Sequence, residues 1–139
     1  MNMAYLCGLI ESDGSFQILF KKDHTMKLKY RCLLVITISQ KNVSVLQQCA
    51  NTLHTAGIHC RLCVDHKRAS SLRIEGSKHV SALLSSLHQH NIRLMGFKWM
   101  DAQIMLACIN MIAQKTHNTI EGRRQLIDLH YISYLLGTK

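Results

Sequence analysis

Apolar positions along the chain change between helical spacing and alternation, and these changes predict the order of its elements. Apolar side chains at positions 3, 6, 9 and 10 have the spacing of one helix face, and Gly14 ends this first pattern. Apolar and polar positions then alternate in residues 16–20 and again in residues 27–39, with a short polar stretch between the two runs. The beginning of the chain therefore predicts a helix over residues 3–13 followed by a long hairpin.

A helix and a hairpin follow again further along the chain. Asn42 is the predicted N-cap of a helix whose apolar residues recur at i, i+3, i+4 and i+7, and Gly57 supplies its C-terminal turn. Alternation over residues 58–74, with a turn at Lys67-Arg68, predicts a second hairpin. Ser77 is the predicted N-cap of the next helix. Two more helices are predicted over residues 98–114 and 123–136.

This order predicts an α+β domain in which helices cover one face of a four-stranded sheet. The other face is predicted to be open and to carry polar or cationic side chains, with Asp65 as its single acidic residue. Such a face suits a phosphate backbone, and Gln, Arg and Thr side chains can read base edges in the major groove. The predicted nucleic-acid contacts on this face and in its turn are Gln17, Lys21, Lys29, Arg31, Thr37, Arg61, Lys67, Arg68 and Arg73.

Length and charge narrow the class of protein. The 139 residues predict a single domain over 1–139, because domains usually have about 100–200 residues. An apolar fraction of 47% with 18% charged residues argues against a disordered chain. Lys and Arg number 17 against 8 Asp and Glu, which gives a formal charge of +9. This excess indicates an acidic partner, nucleic acid or an anionic membrane, and composition alone favours neither.

The cysteines and the N-terminus indicate where the protein works. Six Cys are scattered among apolar residues and form no disulfide framework, which is typical of free thiols in a reducing compartment. The apolar run over residues 1–10 is too short to span a membrane and lacks the basic start of a signal peptide. We therefore expect an intracellular protein without a signal peptide, in a bacterial cytoplasm or an organelle, with no membrane partner.

One stretch carries a chemical signature, Leu6-Cys-Gly-Leu-Ile-Glu-Ser-Asp-Gly14, and a Ser-Phe pair follows it. It resembles the nine-letter motif of the LAGLIDADG homing endonucleases, with six letters identical and Cys7, Glu11 and Ser12 as departures of similar size or charge. The order of predicted helices and hairpins agrees with this resemblance. The resemblance implies the homing endonuclease fold, with a saddle-like antiparallel sheet, and a site-specific double-strand DNA endonuclease encoded within an intron.

The resemblance also implies a metal site at the end of the first helix. Small side chains let this helix approach a partner helix closely, so that Asp13 from each of two copies converges on one place. Paired carboxylates repel unless a cation lies between them, which favours Mg²⁺ or Mn²⁺ with oxygen ligands. The resemblance implies that Asp13 and the backbone carbonyl of Ser12 hold this metal. The ions would activate a water for attack on the scissile phosphates and stabilise the leaving oxygen.

Two further catalytic residues follow from the same resemblance. Gln40 is expected to orient solvent near the metal, and Lys98 to stabilise negative charge on the phosphate. Lys41 and Arg93 are alternatives for the role of Lys98. Ser44 stands where some members of the family carry a second basic residue.

The number of motifs predicts the assembly. The chain contains one copy of the motif, and residues 134–137 echo its beginning without the acidic residues. Members with one motif act as dimers, so a homodimer is expected that pairs residues 3–13 across a two-fold axis, on a long pseudo-palindromic DNA site. The predicted contact residues of this helix pair are Leu6, Cys7, Gly8, Ile10 and Glu11.

Other interpretations stay open beside the nuclease. An RNA maturase that binds intron RNA, or a non-cutting DNA-binding relative of the same fold, would keep the basic surface, although Asp13 favours the nuclease. A generic basic binding module explains the charge but leaves the motif unexplained. A zinc site at Cys60 and Cys63, with His59 and His66 nearby, is disfavoured because residues three apart on a strand point to opposite faces. The run His88-Gln-His-Asn91 resembles another nuclease signature but lacks its hairpin.

Overall fold

The computed structural model describes residues 1–25, 30–90, 92, 94–115 and 119–137, with side chains described as far as residue 132. Lys29 and Arg93, two residues of the sequence prediction, lie outside the described residues. The elements are α1 (Met3–Asp13), β1 (Gly14–Lys22), β2 (Tyr30–Gln40), α2 (Val43–Thr55), β3 (Arg61–Cys63), β4 (Ser70–Glu75), α3 (Ser77–Gln89), α4 (Gly96–Ala113) and α5 (Ile120–Gly137). The predicted order of helices and strands is confirmed.

The four strands form one antiparallel sheet in the order β1-β2-β4-β3, which confirms the predicted α+β fold. β1 and β2 make the long hairpin, paired from Gly14 opposite Ile38 to Lys22 opposite Tyr30. β3 has only three residues, because the chain leaves the sheet soon after Cys63 and turns. The Oδ1 atom of Asp65 closes that turn by accepting hydrogen bonds from the backbone amides at positions 67 and 68, at 2.9 and 3.1 Å.

The core lies between the sheet and the helices. Leu34, Ile36 and Ile38 alternate along β2 and point to the helices, where none of them has any exposed surface. The buried stripes of α1, α2 and α3 pack against this row. Burial of one such aliphatic side chain contributes about 1.5–3 kcal/mol. This packing fixes which face of the sheet stays open.

The helix ends follow local chemistry, with one correction. Asn42 caps α2 as predicted, its Oδ1 accepting from the amide of Ser44 at 3.1 Å. Ser77 was predicted to cap α3, but the N-cap is Gly76, with φ +94° and ψ 149°. That backbone conformation strongly favours glycine. The amide of Gly76 also donates to the carbonyl of Leu34 at 2.9 Å, which ties the start of α3 to β2.

The last two helices return to the sheet. Leu126 of α5 is fully buried, and the Phe20 ring meets the His130 ring edge to face at 5.9 Å between centroids. Arg123 donates from Nη2 to the carbonyl of Tyr30. Within the described residues, no helix has both the length and the apolar character needed to cross a membrane.

Candidate active site

The corner between α1 and β1 is built around Gly14. A Cβ at this position would lie 2.5 Å from the carbonyl oxygen of Ile10 and 2.9 Å from its Cα. Gly14 has an extended backbone with φ −85°, which any residue adopts, so glycine is needed here for space and not for conformation. The corner brings Asp13, the last residue of α1, directly against the start of the sheet.

The carboxylate of Asp13 is exposed, and one of its two oxygen atoms accepts a hydrogen bond from a strand residue. Its Oδ2 accepts a hydrogen bond from Nε2 of Gln40, at the end of β2. Ser12 Oγ lies 3.2 Å from the same oxygen and 3.0 Å from the carbonyl of Gly8, and its single hydrogen serves one of them at a time. Oδ1 accepts no hydrogen bond within the part of the chain that the structure describes.

Asp13 is the last residue of α1, where a negative charge is unfavourable for the helix. A carboxylate at a helix C-terminus opposes the macrodipole, at a cost of about 0.3–1 kcal/mol near the surface. The last turn of α1 contains no basic residue that would offset it. The carbonyl of Ile10 accepts from the amide of Gly14, whereas the carbonyls that follow it, including that of Ser12, have no amide further along the helix to bond. The end of α1 therefore presents several backbone and carboxylate oxygen atoms.

Lys98 reaches the same corner from the first turn of α4. Its half-buried side chain donates from Nζ to the carbonyl of Gly14, 84 residues away in sequence. The structure thus brings Asp13, Gln40 and Lys98 together from three different elements. Lys41, one of the two alternatives to Lys98, is exposed between β2 and α2.

Glu11 makes a contact that sequence reasoning missed. Its Oε1 accepts from the backbone amide of Met95 at 2.9 Å, immediately before α4 begins. This bond ties the end of α1 to the start of the helix that carries Lys98. No local pattern could have indicated it, because the partners are 84 residues apart. Burial first, and then the negative charge of Glu11, raise the pKa of the nearby Cys7 thiol.

The predicted contact residues of α1 need correction. Leu6 and Ile10 have no exposed surface and Cys7 only 4%, because these side chains form the stripe that α1 packs into its own core. They are not available to a second copy, and the carboxylate of Glu11 is bound to Met95. Gly8 is exposed, as expected of a contact residue. The exposed side of the helix consists of Ala4, Tyr5, Gly8, Ser12 and Asp13.

The outward face of the sheet carries the predicted polar and cationic side chains. Strand pairing aligns Ser15, Thr37, Arg73 and Arg61 in one row across all four strands. A second row contains Gln17, Val35 and Glu75, and a third pairs Lys21 with Arg31. Lys67 and Arg68 are exposed in the turn between β3 and β4. We call the side of the sheet that carries these three rows the open face.

The charge of the open face differs from the prediction. Glu75 lies on it, with Oε1 3.2 Å from Nη2 of Arg61 and 3.1 Å from Nε of Arg73. The expectation that Asp65 is the only acidic residue there is therefore wrong. Asp65 instead lies in the turn after β3 and binds backbone amides. Glu75 follows Arg73 by two residues on β4, and residues two apart on a strand share a face, so alternation alone could have indicated it.

The other candidate sites gather no comparable set of groups. Cys60 is buried, with Sγ 3.4 Å from Nε2 of His54, whereas Cys63 is exposed. Within the described residues, no three His, Cys, Asp or Glu side chains are placed to hold a metal ion. All six cysteines are free thiols as predicted, and burial raises the pKa of Cys32 to about 11 and that of Cys108 to about 12. His88 lies exposed near the end of α3, and Asn91 lies outside the described residues.

Comparison with known proteins connects this geometry to a family. The family model described as LAGLIDADG endonuclease matches residues 6–109. The crystal structure of the homing endonuclease I-TnaI superposes with a TM-score of 0.84 at 18% identity, covering 99% of this chain and 95% of that one. A comparison with curated proteins found no match.

Two DNA-bound structures have the same fold in longer chains. The LAGLIDADG meganuclease I-CpaMI bound to uncleaved DNA has a TM-score of 0.77 at 20% identity, covering 93% of this chain and 42% of that one. I-SmaMI bound to cleaved DNA has a TM-score of 0.78 at 19% identity, again covering 93% of this chain and 42% of that one. The chain therefore spans less than half the length of these two proteins.

Proposed function

The chain belongs to the LAGLIDADG endonuclease family, and from this premise we propose that two copies of it form a homing endonuclease that cuts double-stranded DNA at a specific, long, pseudo-palindromic site. The observation that carries the proposal is the convergence of Asp13, Gln40 and Lys98 at the corner where α1 meets the sheet. Residues 1–139 would form one endonuclease domain, with a gene that lies within an intron.

The oxygen atoms at the end of α1 fit a hard divalent cation. Asp13 is exposed and Oδ1 accepts no hydrogen bond from the described residues, while carboxylate and carbonyl oxygens are the ligands that Mg²⁺ and Mn²⁺ prefer. Asp13 and the carbonyl of Ser12 would hold the metal. One copy brings a single carboxylate to this place, and Asp13 of a second copy would complete the pair. When bound, the metal activates water and stabilises the leaving oxygen of the phosphodiester.

The neighbouring side chains have separate tasks. Gln40 donates to Oδ2 of Asp13 through its amide nitrogen, and its amide oxygen would orient a water molecule. Lys98 places an ammonium group beside the backbone that follows Asp13. This charge would stabilise the negative phosphate as the bond to the leaving oxygen breaks.

The open face would bind the DNA. Lys21 and Arg31 form a cationic pair near the far end of the long hairpin and would contact phosphates. Gln17 and Thr37 lie nearer the centre of the sheet, where their amide and hydroxyl groups would reach base edges. Affinity should fall steeply with salt, because each phosphate contact releases counterions.

Small side chains on α1 support a dimer through this helix. Gly8 is exposed, and among the described residues a Cβ added to it would meet no atom outside its own helix backbone within 4 Å. The fold of one copy therefore does not require glycine here, whereas close approach of a second helix would. A two-fold axis beside Gly8 would also bring the two Asp13 residues near each other.

Gly8→Leu should weaken the dimer and leave each copy folded. The side chain would project from the exposed side of α1, so helix packing inside the protomer is unaffected. We expect the dimer dissociation constant to rise at least about 30-fold, as for loss of roughly 2 kcal/mol at an interface centre. Sedimentation equilibrium measures the constant, and urea unfolding reports the fold. Gln48→Leu, which adds an apolar side chain to an exposed position of α2, is the control. Equal dimerisation of both variants would place the interface elsewhere.

Cleavage of a plasmid library tests the proposed function directly. Purified protein is incubated with a library of random inserts in the presence of Mg²⁺ or Mn²⁺, and the cut ends are sequenced. We expect cuts on both strands in a small set of related inserts and none in the presence of EDTA. The absence of metal-dependent cuts, together with tight binding of intron RNA, would contradict the nuclease and favour the maturase.

A further inference from the structure

We propose that Glu75 is a positioning residue that holds Arg61 and Arg73 in place on the open face and thereby increases the selectivity of DNA binding. The inference rests on the proposed function, since it concerns the same DNA-binding surface. Its basis is one carboxylate oxygen shared by two guanidinium groups.

Strand register explains why Glu75 is needed. Arg61 on β3 and Arg73 on β4 lie directly opposite each other, and like charges in opposite positions of a sheet repel. Glu75 is two residues beyond Arg73, on the same face of β4. Its Oε1 lies 3.2 Å from one guanidinium and 3.1 Å from the other. The carboxylate therefore offsets the repulsion and holds the two arginines together.

The cluster is packed on the side of Arg73, whereas the Arg61 side chain is 60% exposed. Val35 is opposite Glu75 and points to the open face, because its neighbours Leu34 and Ile36 point to the helices, yet it has no exposed surface. Side chains of the open face must therefore cover it. The Nε atom of Arg73 is buried and makes no hydrogen bond within the described residues, but it lies 3.1 Å from Oε1 of Glu75 as an ion pair. Burial and this ion pair together restrict the arginine of β4 before DNA arrives.

Two effects on DNA binding follow. A guanidinium that recognises guanine must present its fork in a fixed geometry, and a partner that fixes it beforehand reduces the cost of ordering on binding. The negative charge of Glu75 also repels phosphates that approach without the correct base contacts. Such a repulsive element weakens binding to unrelated sequences more than binding to the target.

The test compares three variants in duplex binding. Glu75→Gln removes the charge, Glu75→Asp keeps the charge but shortens the side chain, and Glu121→Gln removes a charge from exposed α5 as the matched control. Fluorescence anisotropy with Ca²⁺ measures binding to a mixed-sequence duplex of about 30 base pairs and to a duplex recovered from the library, across a range of salt. Urea unfolding checks that each variant is folded.

We expect the two substitutions of Glu75 to differ from each other and from the control. Glu75→Gln should bind the mixed duplex several-fold more tightly, with a logarithmic salt slope steeper by about 0.9, the contribution of one added phosphate contact. Glu75→Asp should keep the salt slope and lower the preference for the target about tenfold, as for the loss of one well-placed arginine contact. The control should change neither quantity.

Three outcomes would overturn the inference. Equal slopes and equal preferences for Glu75→Gln and Glu121→Gln would mean that Glu75 acts only through net charge. An unchanged preference in Glu75→Asp would mean that the arginines need no fixed partner. In both cases duplex binding by the wild type would leave the proposed function standing, whereas a wild type that binds no duplex at any salt concentration would overturn both proposals.

Discussion

Asp13→Asn is expected to leave DNA binding intact and to lower the rate of strand cleavage at least about 10³-fold, since metal-bound charge stabilisation amounts to several kcal/mol. The amide has the shape of the carboxylate but lacks the charge that binds a hard cation. Asp13 is exposed at the end of α1, so its replacement removes no buried contact. The loss of an acidic residue from the helix C-terminus should even stabilise the fold slightly.

Plasmid cleavage with Mg²⁺ and duplex binding with Ca²⁺ separate the two effects of Asp13→Asn. Asp128→Asn makes the same chemical change at an exposed position of α5 and should cleave at the wild-type rate. Cleavage by Asp13→Asn at the wild-type rate would remove Asp13 from the active site. Loss of both binding and cleavage, with the fold intact, would instead assign Asp13 to DNA contact.

Gly14→Ala is expected to affect both stability and cleavage. The added Cβ would lie 2.5 Å from the carbonyl oxygen of Ile10, and the backbone of α1 must move to accept it. Overpacking of this kind costs about 1–3 kcal/mol of unfolding free energy. The movement displaces Asp13 and also the Gly14 carbonyl that binds Lys98, so we expect cleavage to fall about 100-fold, as misplacement by about 1 Å does in other enzymes.

Urea unfolding and single-turnover cleavage measure the two effects of Gly14→Ala. Gly8→Ala is the matched control for the stability of a single copy, measured at a concentration at which the protein is monomeric, because a Cβ there meets no described atom outside its own helix backbone within 4 Å. Its unfolding free energy should stay equal or rise by up to about 1 kcal/mol, since alanine favours a helix interior. Wild-type stability of Gly14→Ala would show that the corner relaxes without strain.

Local patterns in the sequence were sufficient for much of the fold. The cap at Asn42 and the turn at Gly57, with φ +77°, depend on neighbours a few residues away. The buried row along β2 follows from alternation alone. In each case the residues that determine the local structure lie within a few positions of one another, so the prediction required no information about the rest of the chain.

Long-range contacts could not be predicted in the same way. The motif indicates that α1 has apolar and small positions, but not which side faces its own sheet. Leu6 and Ile10 were therefore assigned to a second copy, although they fill the core of the first. The pairing of Glu75 with Arg61 depends on the register of β3 and β4. Neither the side of a packed helix nor a strand register is encoded in a short window.

The hydrogen bond from the Met95 amide to Glu11 involves a residue at which this chain departs from the family motif. Where the motif has Asp, this chain has Glu, which is longer by one methylene group. Its carboxylate reaches the amide of Met95 at 2.9 Å, and an aspartate at the same backbone position would extend one methylene group less far. The longer side chain of Glu11 thus sets the spacing between the end of α1 and the start of α4.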